Sequence, residues 1–293
     1  MKICKIITSV NRPEYLIPTL TSATKFIDWG DHEVDGIFID DMPTDRNDNE
    51  ITKLAKENGY NHIVLHKENK GLSYTWEEAH DIIKSIGKDY DFIWQQEDDI
   101  IIDKHVKIDD MIEYLNMNDT CYQVQLGRQA DWYYPDQKDR QKKDDILMKN
   151  WKDFTISTYL SHAFSGSYSL TKAKELFEAI HMWKNGELRP LDDNGPYTFC
   201  EGYLYQTMTS YALYKNNYDH WGFSFYDSNK DIITKHIGEW TWGARVSKEY
   251  VENSLNQLDG ESAGMKWRIE RIKEMIENPT VKIDSRGWGK LNN

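Results

Sequence analysis

The stretch Val34–Asp45, VDGIFIDDMPTD, opens on a run of β-forming residues, closes that run on two adjacent carboxylates and turns at Pro43. A short apolar run bounded by turn residues reads as a buried strand, here over Val34–Asp40. Three more runs of this kind flank it, at Lys5–Val10, His62–His66 and Asp91–Gln96. Between them the apolar period changes to that of a helix. Leu16, Leu20, Ala23 and Ile27 form one stripe, Ile51, Leu54 and Ala55 a second, and Trp76, Ala79, Ile83 and Ile86 a third, with Ser73 as its predicted N-cap. Strand and helix alternating in this way predict an α/β fold, with a mostly parallel central sheet and helices on both faces. Ligands of such sheets bind beyond the carboxyl ends of the strands, so the residues after each early strand are the ones to read for chemistry.

The second half is mixed. Tyr122–Gly127 and Ala163–Leu170 read as strands. Ala173, Leu176, Phe177 and Ile180 mark a helix, as do Leu204, Met208 and Tyr211, and as do Met265, Ile269, Ile272 and Ile276 near the C-terminus. Residues 129–153 carry no period and are expected to form a long surface loop.

Composition excludes several classes. The 293 residues are 39% hydrophobic and 29% charged, a soluble globular balance. No apolar run approaches the roughly 18 residues of a membrane span, so no integral membrane contact is expected. Met1–Val10 lacks the layout of a secretory leader, and the three scattered cysteines Cys4, Cys121 and Cys200 suit a reducing compartment; together these predict a cytoplasmic protein. A net charge of -13 disfavours nucleic acid as a general partner. Arg128–Lys152 nevertheless has seven basic and five acidic residues, and Gly264–Asn293 seven and four, so a local surface can still meet an anion.

At the strand ends there is neither Gly-x-Gly-x-x-Gly nor a P-loop, against an ordinary dinucleotide site or a nucleotide-triphosphate cradle. Asp40 and Asp41 can accept hydrogen bonds from a base N–H and a ribose hydroxyl. Asn69-Lys70-Gly71-Leu72-Ser73 is a turn that opens a helix, whose N-terminus suits an anion. Glu97, Asp98 and Asp99 follow a hydrophobic strand; three neighbouring acids repel one another unless a divalent cation sits between them and a phosphate.

These motifs, in this order, resemble those of GT-A fold glycosyltransferases of the family-2 type, which transfer sugars from nucleotide sugars. Thr8–Pro13 is similar to the family's opening strand and loop, IDDMPTD at Ile39–Asp45 resembles its V-D-D-G-S-T-D signature, NKGLSYTWEEA at Asn69–Ala79 resembles its N-x-G segment, and Glu97-Asp98-Asp99 resembles its D-x-D motif. Residues 1–103 carry the closest likeness. Phe164–Lys172 is similar to the strand beside the acceptor site. Cys200-Glu201-Gly202-Tyr203-Leu204 resembles the segment that supplies the catalytic base, and His236 resembles a late histidine that completes the metal shell.

The resemblance implies a GT-A (Rossmann-like) catalytic domain over 1–260, with a nucleotide-binding half over 1–103 and an acceptor-binding half over 104–260, followed by a C-terminal helix and tail over 261–293. It implies a metal-dependent, inverting transferase using a nucleoside-diphosphate sugar. Thr8, Arg12, Asp40, Asp41, Asn69, Gly71 and Asp98 would bind the donor, and Asp99, Glu97 and His236 the metal. Oxygen ligands select Mg²⁺ or Mn²⁺, and an added imidazole favours Mn²⁺. Glu201, with Asp193 in reserve, would take the proton of the acceptor hydroxyl. In the 129–153 segment, Trp132, Tyr133 and Tyr134 beside Lys138, Arg140, Lys142 and Lys143 suggest an acceptor platform, for a glycan or for a hydroxymethylated base in viral DNA. Two other readings stay open: a sugar nucleotidyltransferase, disfavoured because Asn11-Arg12-Pro13 has no glycines, and a non-catalytic carbohydrate or nucleotide-sugar binding module.

Overall fold

The computed structural model describes residues 1–42, 45–70, 72–117, 121–126, 148–158, 168–185, 187, 211, 222–227 and 233–237. In chain order the early elements are β1 (Lys2–Ser9), α1 (Pro13–Phe26), β2 (Ile27–Asp28), β3 (Glu33–Asp40), α2 (Asp48–Glu57), β4 (His62–Leu65), α3 (Leu72–Ile86) and β5 (Phe92–Glu97). There follow β6 (Ile100–Ile102), β7 (Val106–Lys107), α4 (Ile108–Met117), β8 (Gln123–Leu126), β9 (Met148–Trp151), β10 (Phe154–Thr158), β11 (Ser169–Lys172), α5 (Ala173–Lys184), β12 (Gly222–Asp227) and β13 (Thr234–His236).

Among the described residues the main sheet has nine strands in the order β4-β3-β1-β5-β11-β8-β12-β10-β9. The β4-β3-β1-β5 portion is parallel throughout, as the alternating sequence predicts. β11 enters antiparallel between β5 and β8, and the sheet is mixed from there on.

Strand alternation assigns the core to two faces. Ile7 and Phe38 meet Leu16 and Leu20 of α1 and Ile51 and Ala55 of α2. On the same face Ile3, Trp94 and Leu170 meet Met111, Ile112 and Leu115 of α4. The opposite side of the same strands, Cys4, Ile6, Ile37, Ile39 and Ile93, packs on Trp76, Ala79 and Ile83 of α3 and on Leu176, Ala179 and Ile180 of α5. Each fully buried aliphatic or aromatic side chain of this kind contributes about 1.5–3 kcal/mol. Cys4 and Cys121 are buried free thiols.

Gly36 is required by close approach. A Cβ there would lie 2.5 Å from the Gly59 carbonyl oxygen and 2.8 Å from the Tyr60 Cα, both backbone atoms of the turn that feeds β4. The Gly36 N–H also donates to Asn61 Oδ1 at 2.8 Å.

Several local expectations are corrected. Ile27 does not continue the α1 stripe; the helix ends at Phe26, and Ile27 pairs with Val106 in a two-strand ribbon. Ser73 lies inside α3 rather than capping it. Within the expected 129–153 loop, Met148–Trp151 is a strand, because its backbone finds β10 as an antiparallel partner. Of the strand expected over Ala163–Leu170, residues 163–167 lie outside the described residues; β11 runs Ser169–Lys172, two residues past the expected end. α4 was not anticipated, although Ile108, Met111, Ile112 and Leu115 carry the i, i+3, i+4, i+7 signal. The helix expected around Leu204–Tyr211 and the C-terminal helix lie outside the described residues, apart from Tyr211 itself.

Candidate active site

The carboxyl ends of β1, β3, β4 and β5 meet at one edge of the sheet, and their registers bring the predicted residues together. Thr8 is paired with Ile39 on one side and Glu97 on the other. One residue beyond, Ser9 is opposite Asp40. The Asp41 N–H then donates to the Ser9 carbonyl at 2.8 Å, and the His66 N–H to the Asp40 carbonyl at 3.0 Å. Asn11 turns the chain out of β1 with φ of 53°, a left-handed conformation that Asn tolerates better than most residues.

Asp40 is fully buried, and its carboxylate is surrounded by donors. Oδ2 accepts from the Asn11 N–H at 2.8 Å; Oδ1 accepts from the Met42 N–H at 3.1 Å and from Arg46 Nη1 at 2.9 Å. Arg46 also donates to Asp48 Oδ1 and to the His66 carbonyl, each at 2.8 Å. Asp40 thereby welds the ends of β1, β3 and β4.

Asp41, also buried, accepts on Oδ1 from the Lys70 N–H at 2.8 Å and contacts His66 Nδ1 at 2.5 Å. The other ring nitrogen of His66 faces Glu78 Oε2 at 2.5 Å. Burial pulls the His66 pKa down, but hydrogen bonds and charge from Asp41 and Glu78 outweigh it, and the net shift is upward. In the turn before α3, the Asn69 amide leans on Met42 Sδ at 3.8 Å, and its buried Oδ1 has no hydrogen-bond partner among the described residues.

The acidic tip sits on β5 and the turn after it. Glu97 is the last residue of the strand; Asp98 and Asp99 form the turn into β6. Asp98 accepts from Ser9 Oγ at 3.0 Å, Arg12 Nε at 3.2 Å and the Val10 N–H at 3.4 Å, and forms a close ion pair with Arg12 Nη2. Arg12 Nη1 reaches Asp99 Oδ2 at 3.1 Å. The repulsion among acids that the sequence predicts is thus met, in part, by an internal guanidinium. Burial, then the charge of Asp99, pushes the Asp98 pKa up against the opposing pull of Arg12 and Ser9. Arg12 is itself held more firmly protonated: burial works against its charge, and the two carboxylates more than compensate.

Behind the tip, β6 pairs with β13 so that His236 is opposite Ile100, and the Ile237 N–H donates to the Asp99 carbonyl at 2.8 Å. The backbone therefore brings position 236 beside the acidic turn from 137 residues away in sequence. Gly71, Asp193 and Glu201 lie outside the described residues, as does most of 129–153.

The glycosyl transferase family 2 profile matches residues 4–173, more than half of the chain, including the carboxyl ends of β1, β3, β4 and β5. The chain belongs to glycosyl transferase family 2. It is a glycosyltransferase, and its fold is that of the GT-A enzymes. S. aureus TarS 1-349, solved in complex with UDP, is similar at 14% identity over 94% of this chain and 71% of that one, with a TM-score of 0.50. The mannosyltransferase PcManGT from Pyrobaculum calidifontis, solved in complex with GDP-Man and Mn²⁺, is similar at 11% identity over 93% and 69%, also with a TM-score of 0.50. At these identities the likeness is one of fold. The sequence matches no curated protein.

Within this family 2 domain, the sequence reading missed the partners of the acids: Ser9, Arg46, His66 and Glu78. His66 carries a legible signal, since it stands at the end of an expected strand. Arg46 carries none, because its role depends on the turn that folds it back over Asp40. Among the described residues no helix is long and apolar enough to cross a membrane.

Proposed function

We propose that this protein transfers a sugar from a nucleoside-diphosphate sugar to an acceptor hydroxyl, with residues 1–103 holding the donor and residues 104–260 the acceptor. The observation that carries the proposal is the convergence of Asp41, Asn69, Arg12 and the 97–99 acids on one edge of a family 2 fold. The nucleoside lies against Asp41 and Asn69, whose buried Oδ1 accepts no hydrogen bond among the described residues. Thr8, Arg12 and Gly71 are assigned to the diphosphate. The relatives solved with UDP and with GDP-Man and Mn²⁺ hold ligands of the class this edge suits.

Among the described residues no group of three or more His, Cys, Asp or Glu side chains is arranged to hold a metal ion, and the cation is proposed from the chemistry of the acidic turn. Asp98 is held by Arg12, Ser9 and Val10, Asp99 shares the same guanidinium, Glu97 ends the strand before them, and the β6–β13 pairing brings the backbone of position 236 to the same turn. Asp99, Glu97 and His236 would hold the ion; carboxylate with imidazole suits Mn²⁺, and Mg²⁺ is the alternative. When bound, such an ion neutralises charge on a departing diphosphate. Glu201, with Asp193 in reserve, takes the proton of the acceptor hydroxyl. The acceptor oxygen bonds to the anomeric carbon as the bond to the diphosphate oxygen breaks, and the configuration inverts. The aromatic and basic side chains of 129–153 form the acceptor platform.

The test is a screen of nucleotide sugars with Mn²⁺ or Mg²⁺, reading released diphosphate, beside thermal unfolding with nucleoside diphosphates. A diphosphate at 100 times its Kd should stabilise the protein by about 2.7 kcal/mol. Unchanged melting with every diphosphate and either ion, and no diphosphate released, would overturn the proposal.

A further inference from the structure

At the donor edge Asp40, Asp41 and the Asp98–Asp99 turn each have an internal basic partner. Asp40 has Arg46, the Asp98–Asp99 turn has Arg12, and Asp41 has His66. The third differs from the others in having a partner that can lose its charge near neutral pH. We infer that His66, held between Asp41 and Glu78, is the positioning residue of the nucleoside end of the donor site, and that it acts through the Asp41 carboxylate only while both of its ring nitrogens carry protons.

The geometry argues for this directly. Nδ1 is 2.5 Å from Asp41 Oδ1, and Nε2 is 2.5 Å from Glu78 Oε2. A neutral imidazole has one N–H and one lone pair. Placed here, it would aim that lone pair at a carboxylate oxygen within contact distance. Only the imidazolium donates to both carboxylates. The His66 and Asp41 side chains are each 3% exposed, so water cannot replace a lost bond, whereas Glu78, at 25%, can turn toward solvent.

The other groups around the ring leave its proton to these two acids. Arg46 spends its guanidinium on Asp40, Asp48 and the His66 carbonyl. Lys70 reaches Asp41 through its backbone N–H, with its ammonium over the Tyr74 ring at 4.6 Å. Tyr74 presents its ring to His66 at 6.1 Å and 64°. Because the folded pKa of His66 is raised above its ordinary value, the clamp is complete below that ordinary value. It is lost as pH rises through the raised one.

This inference depends on the donor-site reading above, and the experiment separates the two. Binding of uridine and guanosine diphosphate to the full chain with Mg²⁺ is measured by calorimetry between pH 6.5 and 9, for wild type, Glu78→Gln, His66→Ala and Asp41→Asn. Wild-type affinity should fall with rising pH, by up to about tenfold per pH unit beyond the raised pKa. Glu78→Gln should flatten the profile, since the Gln amide can donate to a neutral Nε2 while Nδ1–H still serves Asp41. His66→Ala should bind weakly at all pH values, and Asp41→Asn should bind weakly whatever the state of His66. If neither diphosphate binds wild type at any pH, the donor-site reading and this inference both fail. If wild type binds and Asp41→Asn binds weakly, but Glu78→Gln keeps the wild-type profile, the inference alone fails. Undiminished binding by Asp41→Asn also overturns it. Glu78→Gln alters a partly exposed side chain, so the outcome does not depend on whether His66→Ala folds.

Discussion

Replacing Arg12 with Met removes the guanidinium from between Asp98 and Asp99 while keeping a side chain of similar reach. Asp98 is 3% exposed and would retain only Ser9 Oγ at 3.0 Å and the long bond from the Val10 N–H at 3.4 Å. Removing one partner of a buried ion pair costs about 3–5 kcal/mol. The Arg12 side chain is 22% exposed, so water already shares in its solvation, and the low end, about 3 kcal/mol, is the expected loss. At about 2–4 °C per kcal/mol for a chain in this size range, the melting temperature should drop by about 6–12 °C. The assay is urea unfolding at pH 7.5 without divalent ions, in a double-mutant cycle with Asp98→Asn. The pair should show a coupling of at least about 1.5 kcal/mol, since the two side chains are in direct contact. The deficit should also depend on pH in a defined direction. Burial, then Asp99, already raises the Asp98 pKa; without Arg12 it climbs further. An ionised carboxyl whose folded pKa lies above its unfolded value destabilises the fold, so the penalty is present above the folded pKa and fades as pH falls through it. The Met variant should therefore approach wild type in mild acid. A loss under about 0.5 kcal/mol, the size of an ordinary surface substitution, would refute the assignment of Arg12 as the counter-charge of the acidic turn. So would additive single and double substitutions.

Gly36→Ala should cost about 1–3 kcal/mol by denaturant midpoint, because the new methyl meets the backbone of Gly59 and Tyr60 rather than a side chain that can swing away; an unchanged midpoint would show that this turn yields freely. Glu201→Gln should abolish sugar transfer and leave nucleoside diphosphate affinity nearly unaltered, read by product formation beside calorimetry. Full activity in that variant would remove Glu201 from the mechanism.

The parallel half of the sheet was legible in the residues because its signals are local. The apolar runs of β1, β3, β4 and β5 and the helical stripes between them each lie within a window of a few turns, and the acids at Asp40, Asp41 and 97–99 stand where strands end. What escaped the sequence depends on backbone partners far away in the chain. Two- and three-residue strands such as β2, β7 and β13 are too short to show a period, and they exist because a distant backbone offers hydrogen bonds: Ile27 to Val106, Thr234 to Ile102. Strand β9 failed as a prediction for the same reason, since its identity depends on β10.

The sequence by itself determined which residue types stand at the binding edge, because hydrophobic alternation sets where each strand begins and stops and so which side chains follow it. Only the tertiary structure decided how their charges are compensated. Arg12 and Asp98 are 86 residues apart, and Asp41 and His66 are 25 apart. The registers of β1 with β5 and of β3 with β4 bring these groups to the same edge. A run of acids in a sequence shows only the repulsion. The partner that relieves it is chosen by the sheet, since Coulomb attraction is strong enough to matter only over the few ångströms that folding creates.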